Sequence, residues 1–173
     1  MPDETPWLSD QQFSAWMALA AMLGTLPGAI DAQLKRDAGI NRFEYVMLAE
    51  LSEAPGHALP MSRLALFVAG SPSRLSHAVD RMERKGWVTR RAADTPGRRM
   101  EAVLTEAGLA KVVATAPGHV REARRLVIDA LDEEQIAQLD AIARIIVARA
   151  APPEIASLLE QKAPGRGSPT PTD

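Results

Sequence analysis

The residues Met61-Ser-Arg-Leu-Ala-Leu-Phe-Val68, the connection Ala69-Gly70, and the run Ser71-Pro-Ser-Arg-Leu-Ser-His-Ala-Val-Asp-Arg-Met-Glu-Arg-Lys-Gly86 decide the fold. The first segment has helical apolar spacing and the connection is tight. Ser71 is an N-cap candidate whose hydroxyl can accept from first-turn amides. Pro72 stands at the first helical position, where its missing N–H costs nothing. Leu75, Val79 and Met82 recur at helical spacing as one buried stripe. Lys85 suits the negative end of the helix dipole, and Gly86 stops the helix. Helix from 71 to 85 gives a rod about 22 Å long. A basic hairpin follows, Trp87-Val-Thr-Arg-Arg91, a turn over 92–97, and Arg98-Arg-Met-Glu-Ala-Val-Leu-Thr105. Two short helices, a tight turn and a two-stranded basic wing predict a winged helix-turn-helix, with the second helix shaped to enter a major groove.

Charge is distributed to match. The chain carries a net −2, yet residues 61–111 hold ten Lys and Arg against five Asp and Glu, a local +5. The rest holds ten against seventeen, −7, so basic charge is concentrated on the element expected to meet phosphate. On the second helix Ser73, Arg74, Ser76, His77 and Arg81 are the candidate base-reading residues. An arginine can bond a guanine edge bidentately, and serine or histidine can serve bases or phosphates. Ser71 at the capped N-terminus and Arg63 on the preceding helix are candidate backbone contacts. Arg98 and Arg99 are candidate minor-groove contacts, where arginine gains from the negative potential. Which of the two points inward is left open.

The same run resembles the multiple-antibiotic-resistance regulator (MarR) family, through Ser71 to Arg91, Asp94, Arg98-Arg99 and Leu104-Thr-Glu-Ala-Gly108. The likeness extends through Ala116-Pro-Gly-His-Val120 and Leu131-Asp-Glu-Glu-Gln-Ile136, covering residues 10–150. It implies a dimeric transcription regulator, often a repressor released by a small ligand or by oxidation. One position departs from the family pattern. Gly97 stands where an acidic residue usually precedes the arginine pair, and Asp94 is the nearest carboxylate.

Flanking segments read as helices. Ser9-Asp10 opens the first, with Phe13, Trp16, Met17, Ala20, Leu23 and Leu26 at helical spacing. Pro27-Gly28 should either kink it or break it. Asn41 caps a helix running to Glu53, residues 54–57 form a turn, and Ala58-Leu59-Pro60 would add a short strand to the wing. Thr105 and Glu106 open a long helix that Pro117-Gly118 should bend. Asp132 and Gln135 form a capping box for a last long helix carrying Ile136, Leu139, Ile142, Ile145 and Ile146. Pro152 and Pro153 could start a short helix from 154 to 162. So much apolar helix at both ends exceeds the needs of one small core, and the resemblance implies that these helices intertwine in a two-fold dimer. Such a dimer would read a roughly palindromic operator of double-stranded DNA. A monomeric helical core is the alternative.

The fold expected is therefore mainly α with a small β-wing. The expected parts are an N-terminal dimerisation region over 1–38, a winged domain over 39–108, dimerisation helices over 109–162 and a disordered tail over 163–173. Family ligand pockets lie between dimer helices and winged domain. There Trp16, Met17, Phe43, Met47 and His119 are candidate contacts for a small aromatic or phenolic effector, or else core residues. The chain has no cysteine, which excludes disulfides, thiolate metal sites and thiol-based sensing. His57, His77 and His119 lack metal spacing, and no metal or cofactor is implied. No glycine-rich phosphate loop, nucleophile elbow or paired-histidine motif points to an enzyme. No unbroken run of eighteen apolar residues predicts a membrane span, and the acidic N-terminus lacks a signal-like apolar segment, so a cytoplasmic protein is expected. The competing reading is a winged-helix protein-interaction module without specific DNA binding, for which Gly97 speaks.

Overall fold

The computed structural model describes residues 5–68, 72–93 and 100–162. Helix α1 spans Asp10–Ala38, α2 Arg42–Glu53, α3 Met61–Val68, α4 Pro72–Arg84, α5 Glu106–Leu126, α6 Glu133–Ala150 and α7 Pro153–Gln161. Three short strands, β1 Ala58–Pro60, β2 Val88–Ala92 and β3 Met100–Leu104, form one antiparallel sheet in the order β1-β3-β2. Leu59 faces Ala102 in one ladder and Val88 faces Leu104 in the other.

Local chemistry sets the helix starts. Ser9 with Gln12, Asn41 with Glu44, and Asp132 with Gln135 each form a reciprocal capping box. Thr105 caps α5 through the amide of Gly108. Gly39 closes α1 in the left-handed conformation at φ 63°, returning amide bonds to the last carbonyls of the helix. Of the two outcomes foreseen at Pro27, the break does not occur: α1 runs unbroken for 29 residues. One missing amide removes a single bond, and the remaining ladder of so long a helix carries the chain past it.

The core lies within the winged domain. Leu48, Leu51, Leu64, Leu75, Val79, Met82, Val88 and Ala102 are almost wholly buried, and α1 adds only Leu34 to this cluster. Each of the buried leucine, valine and methionine side chains contributes about 1.5–3 kcal/mol by leaving water. The α4 stripe read from the sequence is therefore the floor of the winged unit. α3, α4 and the β2–β3 wing complete a winged helix-turn-helix.

The terminal helices differ. Phe13, Trp16, Met17 and Leu23 on α1 are all at least half exposed, as are Ile142 and Ile145 on α6. Neither α6 nor α7 contributes a fully buried apolar side chain. Residues 11–30 contain no charged side chain, and α1 is long and apolar enough, by length and composition, to cross a membrane. The sequence holds no unbroken run of eighteen apolar residues there, because Gln11, Gln12, Ser14, Gly24 and Thr25 interrupt it, but these residues add no charge.

α5 joins the two regions. Lys111 Nζ donates to the Ala38 carbonyl at 2.6 Å, capping α1 from α5. Trp87, at the foot of the wing, lies between Lys85 and Lys111, whose ammonium groups sit 4.5 and 5.3 Å from its ring centroid. Further along α5, His119 packs its ring on Tyr45 of α2 with centroids 4.4 Å apart. Its Nδ1 and the Oε1 of Gln33 are buried without a hydrogen-bond partner among the described residues.

Two outcomes follow from this junction. A Cβ at Gly108 would overlap the Trp87 carbonyl oxygen and lie 2.7 Å from Leu104 Cδ1. Gly108→Ala should therefore lower stability by about 1–3 kcal/mol or more, seen as an earlier denaturant midpoint. Burial, and then the Arg42 charge, hold the His119 imidazole below its ordinary range. The unfolded chain then takes up this proton first, so the contribution is complete above about pH 6.5 and lost as pH falls through the folded value. The thermal midpoint should fall on acidification through that window, and less steeply in His119→Gln.

Candidate nucleic-acid interface

The buried stripe of α4 decides what the opposite face presents. With Leu75, Ala78, Val79 and Met82 turned inward, the outward direction is held by Ser73, His77 and Arg84, which fall within about 40° of one another around the helix. All three side chains are exposed. Ser76 lies on one flank of this face, and Arg74 and Arg81 on the other. Arg84 makes no hydrogen bond or ion pair among the described residues, and it was not among the sequence candidates. It stands eleven residues after Ser73, three helical turns, so helical periodicity puts the two on one face.

Arg74 and Arg81 are each engaged inside the protein. The Arg74 guanidinium sits 4.8 Å over the Phe43 ring of α2. Arg81 Nε donates to Glu44 Oε1 at 3.0 Å. Glu44 is almost fully buried and its other oxygen accepts from the Asn41 amide at 3.3 Å. One carboxylate thus caps α2 and holds α4. The capping pattern Asn41-x-x-Glu44 is visible in sequence, but its second partner, 37 residues on, is not.

The wing is fastened to the same helix by a residue the sequence did not single out. Arg90 of β2 reaches Asp80 at 2.6 Å, Glu83 at 2.6 Å and the Ser76 carbonyl at 3.1 Å. Its own amide donates to Glu83 at 2.9 Å. Arg91 pairs with Glu101 across the hairpin at 3.2 Å. Ser71, Asp94, Gly97, Arg98 and Arg99 lie outside the described residues. Arg63 is exposed on α3.

The five effector candidates do not converge. Phe43 lines a cleft of about 470 Å³ between α1, α2 and the start of α4, together with Asp31, Lys35, Arg42, Val46 and Arg74. Met47 is fully buried in the core, and His119 packs on Tyr45. Trp16 and Met17 stand exposed on the N-terminal half of α1. Lys35 and Arg42, which the sequence reading left out, face the cleft. Asp31 pairs with Lys35 at 2.6 Å and accepts from the Arg42 amide at 2.8 Å, and these bonds hold its carboxyl below the usual range.

Comparison with known proteins settles the lineage of this geometry. The family model described as MarR family matches residues 38–99. The solved structure of Sco3205, a MarR family transcriptional regulator from Streptomyces coelicolor in complex with DNA, is 38% identical, with 88% of this chain and 95% of that one covered and a TM-score of 0.81. The chain belongs to the MarR family. AbsC, another MarR family regulator from S. coelicolor, is 35% identical over 84% of this chain and 97% of its own, with a TM-score of 0.78. The transcriptional repressor MprA of Escherichia coli is 30% identical over 70 residues, which are 40% of each protein. This chain thus matches about two-fifths of that curated relative's length. α4 and the β2–β3 hairpin belong to the winged unit that this chain shares with those regulators.

Replacing Glu44 by alanine removes an N-terminal cap and leaves the Arg81 guanidinium without its buried partner. The loss should be about 1–3 kcal/mol, read as a lower thermal midpoint, with Glu44→Gln retaining part of it.

Proposed function

We propose that the protein is a homodimeric, sequence-specific DNA-binding repressor whose hold on DNA is relieved by a small ligand. The observation that carries this reading is the exposed face of α4. Ser73, His77 and Arg84 project together from a helix whose whole underside is buried. The helix is about 20 Å long, and its diameter of about 10–12 Å with side chains suits the width of a major groove. Ser76, Arg74 and Arg81 flank that face, and Arg63 on α3 is a proposed phosphate contact. Arg98 and Arg99 are the proposed minor-groove contacts and Ser71 a phosphate contact at the helix start. The relative solved with DNA supports the same use of the fold.

The exposed apolar faces of α1 and α6 support a second copy as partner. A further apolar cleft of about 540 Å³, lined by Met22, Leu26, Leu126 and Leu139, continues those faces. Burial of the charge-free stretch 11–30 of α1 against a partner accounts for its composition without a membrane, and a cytoplasmic regulator is the reading we hold. The effector is assigned to the cleft at Phe43, where Lys35, Arg42 and Arg74 surround one aromatic ring. These groups suit a small aromatic acid or phenol, and they touch the recognition helix directly through Arg74.

Oligonucleotide selection followed by fluorescence anisotropy tests the reading. The protein should recover a roughly palindromic duplex and hold it against scrambled competitor. Arg84→Ala should weaken binding and make the logarithmic salt slope shallower by about one unit if Arg84 meets a phosphate. Loss of sequence preference with an unchanged slope would instead place Arg84 on a base. No enriched sequence, and binding that competitor abolishes, would replace this reading with a protein-interaction module.

A further inference from the structure

Helix α7 turns back onto the winged domain. Only Ala151 and Pro152 separate it from α6, and Arg144 of α6 donates to the Leu159 carbonyl at 3.4 Å. Its other side meets α3, the first helix of the helix-turn-helix. Leu158 and Lys162 line a cleft of about 320 Å³ with Glu50, Glu53, Arg63 and Phe67. At its end, Lys162 Nζ lies 2.6 Å from Glu50 Oε1 and 3.0 Å from Glu53 Oε2. The same ammonium group stands 5.6 Å from the Phe67 ring centroid on α3.

This contact differs from an ordinary surface pair. Glu50 and Glu53 occupy the last turn of α2, where two carboxylates repel each other and face the negative end of the helix dipole. Glu50 is only 14% exposed on its side chain, and burial pushes its carboxyl above the usual range. A cation shared by both acids relieves the repulsion, the dipole clash and the buried charge together. Lys162 is separated from Glu50 by 112 residues, so the contact ties the far end of the chain to the reading head.

We propose that α7 is a brace and Lys162 a positioning residue that fixes the helix-turn-helix against α6 by clamping Glu50 and Glu53. This rests on the reading of α6 as a dimerisation helix and α4 as the DNA-reading helix. α5 and the end of α1 already join the winged domain to the terminal helices, along one side. The brace adds an attachment through α3, the helix that carries Arg63. A body held at two separated places resists rotation about either. In a dimer, the spacing between the two copies of α4 is then set before DNA arrives. Releasing the brace spreads the heads over several orientations, and apparent affinity falls by the competent fraction.

The absence of cysteine makes the test direct. Thr89→Cys, exposed on β2, places one nitroxide on each wing, and pulsed electron resonance reads the distance between the two copies. The full chain should give one narrow distribution. Lys162→Glu, which sets an acid against Glu50 and Glu53, should broaden it and weaken binding to the selected duplex about fivefold. Lys162→Arg should preserve both. Circular dichroism checks the folded state, and Lys162→Ala serves if the reversal lowers it. A narrow distribution unchanged in the Glu and Ala variants overturns the brace alone. A distribution already broad in the full chain overturns it as well. An absence of any inter-label distance overturns the dimer reading, and the brace with it.

Discussion

The direction in which α4 presents its polar side chains depends on the burial of Leu75, Ala78, Val79 and Met82 against α2, α3 and the sheet. A rotation of the helix by one residue would move the face by about 100°, exposing part of that stripe and burying Arg74 or Arg81. The loss of several apolar contacts, at about 1.5–3 kcal/mol each, outweighs any single polar bond gained. Apolar packing thus selects the reading face, and the polar bonds adjust within it. Glu44 steadies Arg81, Phe43 receives the Arg74 guanidinium, and Arg90 joins the wing to the outer edge of the same helix.

Much of this was legible in the sequence because its causes are local. The capping boxes at Ser9, Asn41 and Asp132 satisfy amides three residues away, and the α4 stripe repeats within four turns. Each lies inside a short window, so the helix starts and the winged domain could be read directly. What stayed hidden involves partners far apart in the chain. Glu44 was legible as a cap, while its bond to Arg81 required the packing of α2 on α4. Val46 and Met47 are neighbours in sequence, yet one lines the cleft at Phe43 and the other sits in the core. Consecutive helical residues point about 100° apart, and the apolar residues of α2 do not by themselves say which direction is inward. At Pro27, the sequence left kink and break equally open because the outcome depends on the strength of the helix on both sides.

The division between the core and the terminal helices carries a physical meaning of its own. The winged domain closes its core with residues from 34 to 112, whereas the first two turns of α1 and nearly all of α6 bury little within the chain. Two regions with such different burial need not share one stability. The winged domain holds most of the buried apolar contacts, while the terminal helices leave their apolar faces open.

Arg90 has a mechanical consequence. It bonds Asp80, Glu83 and the Ser76 carbonyl, so one guanidinium spans nearly two turns of α4 from the base of the wing. Helix and hairpin therefore behave as the fixed jaws of a caliper. In the proposed repressor, a duplex whose grooves match the gap would fit both jaws together, and one with a wider or narrower groove would have to deform or lose a jaw. Such a caliper would measure the shape of a double helix as well as the letters along it.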